Sequence, residues 1–138
     1  MVYMKRLEGL GIRSTNVTDF SFITELPNLK CLILHSPGNE HFTETLPSLK
    51  NSADLNYLIL YANLENLDII AENPELENII ISAYSTAIKD ISGLRNKLKL
   101  EYADLANIEC SDMSLVNCIK RTPQRSGYPA ALRRFYFK

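Results

Sequence analysis

Four copies of one six-residue pattern run along this chain in phase: Leu7-x-x-Leu10-x-Ile12, Leu29-x-x-Leu32-x-Leu34, Leu55-x-x-Leu58-x-Leu60 and Leu76-x-x-Ile79-x-Ile81. A weaker fifth copy has Arg95 at its first position and continues as Leu98-x-Leu100. Measured between the central positions, the copies lie 22, 26, 21 and 19 residues apart. Nothing else in the sequence constrains the fold as much. Alternate side chains of a strand face opposite ways, so the last two apolar positions of each copy enter the same side of a short strand. Leu10, Ile12, Leu32, Leu34, Leu58, Leu60, Ile79, Ile81, Leu98 and Leu100 are then expected to stack into one ladder. Each buried side chain of this kind contributes about 1.5–3 kcal/mol. Ordering the backbone costs about 1–2 kcal/mol per residue, so a single coil does not stand alone. Stacked coils do.

The segments between the copies repeat as well. Val17-Thr18-Asp19-Phe20-Ser21-Phe22-Ile23 aligns with Ile88-Lys89-Asp90-Ile91-Ser92-Gly93-Leu94, and Leu26-Pro27-Asn28-Leu29 follows the first of these. With this motif, I-x-D-[IL]-x-x-[IL], the chain resembles the leucine-rich repeats of bacterial internalins and related short-repeat proteins, from about Leu7 to Leu100. It departs from them in the asparagine that ends each strand. Asn63 holds that place once, while Thr15, Pro37, Tyr84 and Ala103 occupy the equivalent positions. The resemblance implies an α/β leucine-rich-repeat solenoid of about five coils. A short parallel sheet would line its concave face, with helical or irregular returns outside. It also implies a recognition module without chemistry of its own, acting as an adaptor, inhibitor or receptor.

Terminal coils expose their cores and must be covered. Ser111-Asp112-Met113, leading into Leu115, Val116 and Ile119, reads as an N-capped amphipathic helix and is expected to be the C-terminal cap. The chain therefore divides into a repeat domain with its cap over 1–121 and a basic, aromatic tail over 122–138. Met1 and the cap-like end favour a whole protein. Before Lys120 there are nine Lys and Arg against sixteen Asp and Glu, a net charge of −7. From Lys120 onward there are six basic residues and no acid, a net charge of +6. Such halves attract one another, or the tail reaches for an acidic partner or nucleic acid. The three cysteines are odd in number and not closely spaced, which argues against a disulfide framework. The N-terminus has no apolar signal region and no apolar run is long enough for a membrane span. An intracellular, reducing compartment is expected.

The repeat register also sets the outward side chains, in three columns. The first is Gly9, Cys31, Tyr57, Asn78 and Lys97; the second is Gly11, Ile33, Ile59, Ile80 and Lys99; the third is Arg13, His35, Tyr61, Ser82 and Glu101. Three isoleucines flanked by tyrosines form an apolar stripe with the charge-poor composition of an interface core. The expected partner-binding residues are Ile33, His35, Tyr57, Ile59, Tyr61, Asn78, Ile80 and Ser82. The same residues also suit a strand for its own stability. A homodimer contact or cover by the aromatic tail would use the same stripe.

Catalysis finds little support. Cys31 and His35 stand four residues apart on one strand, roughly 13 Å at ~3.3 Å per residue, too far for a nucleophile and its base. With two histidines and no C-x-x-C, a zinc site has no spacing to rest on. Gly9-x-Gly11 lacks the third glycine of a phosphate loop. No cofactor is expected. A protein partner is the leading expectation, self-association the next, and a weak, salt-sensitive nucleic-acid contact through the tail the last.

Overall fold

A computed structural model of the chain describes residues 4–13, 17, 19–35, 46–62, 64–82, 87–110 and 114. Five strands of five residues each, β1 (Gly9–Arg13), β2 (Cys31–His35), β3 (Tyr57–Tyr61), β4 (Asn78–Ser82) and β5 (Tyr102–Ala106), form one parallel sheet in sequence order. Successive strands begin 22, 26, 21 and 24 residues apart. Parallel neighbours need a crossover between them, and here each crossover is one coil of the solenoid.

The leucine ladder is the reason for this register. Leu32, Leu34, Leu58, Leu60, Ile79 and Ile81 are buried to 0–1% exposure, and each strand from β2 to β5 is preceded by a buried leucine: Leu29, Leu55, Leu76 and Leu100. They meet Phe20, Ile23, Leu26, Leu49, Leu67, Ile70, Ile88, Ile91 and Leu94 from the returns in one core. The four strand pairings align Leu10, Leu32, Leu58, Ile79 and Ala103 side by side.

On the return side, three of the coils turn at an acid or amide. The Asp19, Asn66 and Asp90 side-chain oxygens accept from the backbone N–H of Ser21, Asp68 and Ser92 at 2.8, 3.0 and 2.7 Å. This Asx turn opens the 3₁₀ segments Ser21–Glu25, Asp68–Ile70 and Ser92–Leu94. It gives the motif D-[IL]-x-x-[IL] its physical content, and Leu64-Glu65-Asn66-Leu67 is a further copy. Among the described residues the returns carry 3₁₀ turns and no α-helix, which corrects the α/β expectation. A 3₁₀ turn rises faster per residue than an α-helix, so it spans the return in fewer residues. Three polar side chains close the returns from inside: Ser52, Asn73 and Lys97 are buried and donate to carbonyls of the coil before.

The fifth coil differs from the sequence expectation. Leu98 is 86% exposed and Lys97 is 8% exposed, the reverse of what a Leu98-x-Leu100 strand requires. The strand lies five residues later, with Ala103 and Leu105 facing inward and Leu100 taking the place of Leu76. Asn66 and Asp90 form a parallel bridge, so the return had already set a 24-residue offset before the strand began. Stacking on the previous coil outweighed the more apolar L-x-L triplet. Lys97, Lys99 and Glu101 therefore leave the outward columns, and Tyr102, Asp104 and Ala106 replace them. The helical cap and the division at residues 121 and 122 lie outside the described residues, apart from Ser114 in a turn.

Candidate functional site

The sheet has two faces, and the second carries its own apolar cluster. Cys31, Ile33, Ile59 and Ile80 pack together there, with Tyr57, Tyr61 and Tyr102 half-buried against them. Lateral pairing explains the grouping, since Ile33, Ile59 and Ile80 sit side by side on β2, β3 and β4. β-Branched neighbours on adjacent strands fill each other's flanks. The three isoleucines are exposed by only 6%, 2% and 7%, so they form a floor more than a set of protruding anchors. The side chains that stand above it are Tyr57, Tyr61, His35 and Ser82, all half-buried, with Asn78 just buried at 9%.

All eight residues expected from the sequence thus lie on one face, in the register expected for β2 to β4. Sequence reasoning missed Tyr102 and Asp104, which enter from β5 opposite Asn78 and Ile80. The signal was available in the equivalence of Leu76 with Leu100. Three strands at about 4.8 Å and five residues at about 3.3 Å give the floor roughly 10 by 13 Å. It ends at the bare backbone of Gly9 and Gly11 on β1 and at the carboxylate of Asp104 on β5.

The two rims differ chemically. At the C-terminal ends of the strands, His35 meets Tyr61 edge to face, with ring centroids 4.7 Å apart. Arg13 continues this rim on β1. At the N-terminal ends, burial holds the Tyr57 hydroxyl above its ordinary range, and Glu77, Cys31 and Glu101 push it further the same way. Asn78 hydrogen-bonds that hydroxyl and acts in the opposite direction. Glu77 and Glu101 also anchor the strands, their backbones continuing the ladder through Glu77 N–H to Asn56 O and Glu101 N–H to Glu77 O.

Burial pushes the Cys31 thiol up to about 11. A nucleophilic cysteine needs the opposite shift, so the thiol acts as a small apolar group in the floor. Among the described residues no group of three or more His, Cys, Asp or Glu is placed to hold a metal ion. Among the same residues no helix is long and apolar enough to cross a membrane.

Among solved structures, the chain is similar to the crystal structure of internalin C2 from Listeria monocytogenes, with a TM-score of 0.57 at 22% identity. The match covers 88% of this chain and 62% of that one, so the chain spans less than two thirds of that protein's length. At this identity the likeness concerns the fold, which is a leucine-rich-repeat solenoid of the internalin kind. No family model matches the chain, and no curated protein matches it.

Proposed function

We propose that the chain is a protein-recognition module that binds a partner on the open face of its sheet. One observation carries this reading: an apolar cluster, Cys31, Ile33, Ile59 and Ile80 with three tyrosines, on the face opposite the core. A single-layer sheet stabilised by one core needs no second cluster, whereas an interface needs an apolar centre with a polar, aromatic rim. Ile33, Ile59 and Ile80 supply the centre. His35, Tyr57, Tyr61, Asn78 and Ser82 supply the rim, joined by Tyr102 and Asp104. Tyrosine is well suited to such a rim, because it buries a large area with few rotatable bonds. The floor is small, so the partner is a compact protein or a short extended segment.

The reading is one of binding without chemistry, supported by the raised thiol of Cys31 and its separation from His35 along β2. A reducing, intracellular setting belongs to the proposal, as do the repeat domain through residue 121 and the tail after it. Self-association through the same face and nucleic-acid contact through residues 120–138 are the competing readings.

The test is capture of binding proteins by the immobilised full chain after nuclease treatment, with Ser82→Arg and Tyr61→Arg as face variants and Glu72→Arg as a return-side control. A partner that survives Glu72→Arg and is lost with both face variants supports the reading. A partner indifferent to all three, or recovery of nothing but the chain itself, overturns it.

A further inference from the structure

We infer that the chain's own C-terminal segment, residues 120–138, docks on the β3–β5 end of the open face and competes there with the partner. This rests on the reading of that face as a binding surface. Three observations converge on this occupant. The first is charge. Among the outward residues of β3, β4 and β5 the single charged group is Asp104, an acid. Glu77 and Glu101 stand at the same end, close enough to act on Tyr57. Residues 120–138 carry six basic groups and no acid. The other end of the face, with Arg13 and His35, offers no such match. Opposite potentials of this kind select orientation as well as contact.

The second is apolar chemistry. The segment ends Phe135-Tyr136-Phe137 and carries Tyr128, side chains able to lie on an isoleucine floor rimmed by Tyr57, Tyr61 and Tyr102. The isoleucine floor lies shallow between its tyrosines, so a flat aromatic side chain laid across it buries the tyrosine flanks as well. The third is reach. The chain leaves the sheet at β5, the acidic end, and two hydrogen bonds, Ile88 N–H to Asn107 O and Glu109 N–H to Ile88 O, keep it beside the fourth coil. Nineteen residues from Lys120 to Lys138 extend to roughly 60 Å at about 3.3 Å each. The sheet is about 20 Å across at ~4.8 Å per strand. A tethered segment therefore meets the face at high effective concentration, and a partner must displace it.

Carbodiimide cross-linking of the full chain, in a mixture of unlabelled and isotope-labelled protein, tests this. The reagent joins touching carboxylates and lysine amines, and the exposed Glu8–Lys30 ion pair at 3.0 Å serves as an internal control. The expected result is a Lys138 link to Glu77, Glu101 or Asp104 within one molecule. Its yield should fall at least several-fold in an Arg133→Glu, Arg134→Glu variant, with the Glu8–Lys30 link unchanged. Three outcomes overturn the inference: no Lys138 link while the control forms, Lys138 links spread over return-side acids such as Glu25 and Glu72, or links that join labelled to unlabelled chains. The last would make a second copy the occupant. A captured partner without the Lys138 link sinks this inference alone. The Lys138 link with a partner indifferent to the face variants sinks the binding-face reading and leaves this contact standing.

Discussion

The carboxamide of Asn73 donates to the backbone carbonyl of Ser52 at 3.0 Å and to that of Leu49 at the same distance, both one coil back. Ser52 in turn donates its hydroxyl to Leu26 O at 3.0 Å, and Lys97 its ammonium to Ala71 O at 3.0 Å. Leu26, Ser52, Asn73 and Lys97 occupy the same place in successive coils, three residues before each leading leucine. The first is apolar and the rest are buried donors. Ser52, Asn73 and Lys97 stitch the coils by adding a second donor to the Leu26, Leu49 and Ser52 carbonyls, which also accept a backbone N–H within their own return, and a donor to the Ala71 carbonyl.

Asn73→Ala removes two hydrogen bonds to carbonyls that keep their backbone N–H partners, a loss of about 1–3 kcal/mol. Asn73→Asp is expected to be worse, because it turns a carboxylate oxygen toward the same two carbonyls. Urea unfolding of the three proteins measures both. Equal stability of Asn73→Ala and wild type would show that the stitch contributes nothing.

The register of the fifth coil separates Leu98 from Leu100. Leu98 is 86% exposed, so Leu98→Glu should shift stability by no more than about 0.5 kcal/mol. Leu100 is 4% exposed in the main core, and Leu100→Ala should cost about 2–4 kcal/mol. Comparable losses for the two would restore the earlier strand, Leu98-x-Leu100.

Two glycines should respond oppositely. A Cβ on Gly93 would stand 2.0 Å from Leu67 O, where the third and fourth returns stack, so Gly93→Ala forces the backbones apart. A loss of about 1–3 kcal/mol is expected. At Gly11 a Cβ meets nothing within 4 Å, and Gly11→Ala should be neutral or mildly stabilising. Thermal unfolding checks the pair, and a neutral Gly93→Ala would refute the close approach.

Cys31 gives the alkaline behaviour a direction. Its folded value of about 11 lies above the ordinary 9.0, so the folded protein holds a proton that the unfolded chain releases. Stability from this group is complete below pH ~9 and declines as pH rises toward 11. Lys97, held below its ordinary value by burial, works the other way over the range just under 10.5. Replacing Lys97 with Met should therefore steepen the alkaline decline, and Cys31→Ala should flatten it. In the native protein at pH 8, Cys31 should resist a thiol reagent until the chain is unfolded. Prompt labelling in the folded state would contradict the buried, protonated thiol.

Asp19 and Asp90 are held below the usual carboxylate range chiefly by the backbone N–H of Ser21 and Ser92. The stability they contribute is present above the ordinary value of 3.8 and is lost as pH falls through the lowered one. Asn66 makes the same turn without a titrating group. Asp90→Asn should consequently keep neutral-pH stability and weaken the acid dependence, while Asp90→Ala should lose stability at both. Circular dichroism across pH 2 to about 7 distinguishes them.

What the sequence determined was the coil. Leucines spaced two apart dictate a strand with one buried face, and copies recurring every 21 to 26 residues dictate that strands stack in parallel. From this alone the open-face columns of β1 to β4 follow, and with them Ile33, Ile59, Ile80 and their tyrosine rim. These features were legible because they depend on local alternation and on a repeat with itself. The fifth strand, the buried donors and the depth of the floor depend on neighbours. Whether Lys97 or Leu98 is buried turns on contact with Ala71 one coil away, where a lysine can satisfy a carbonyl and a leucine cannot. Hydrophobicity read along the chain ranks leucine above lysine, whereas stacking ranks the side chain that completes the coil beneath it. Only tertiary structure decides between those two orders, because the partners that set the free energy belong to another turn of the solenoid.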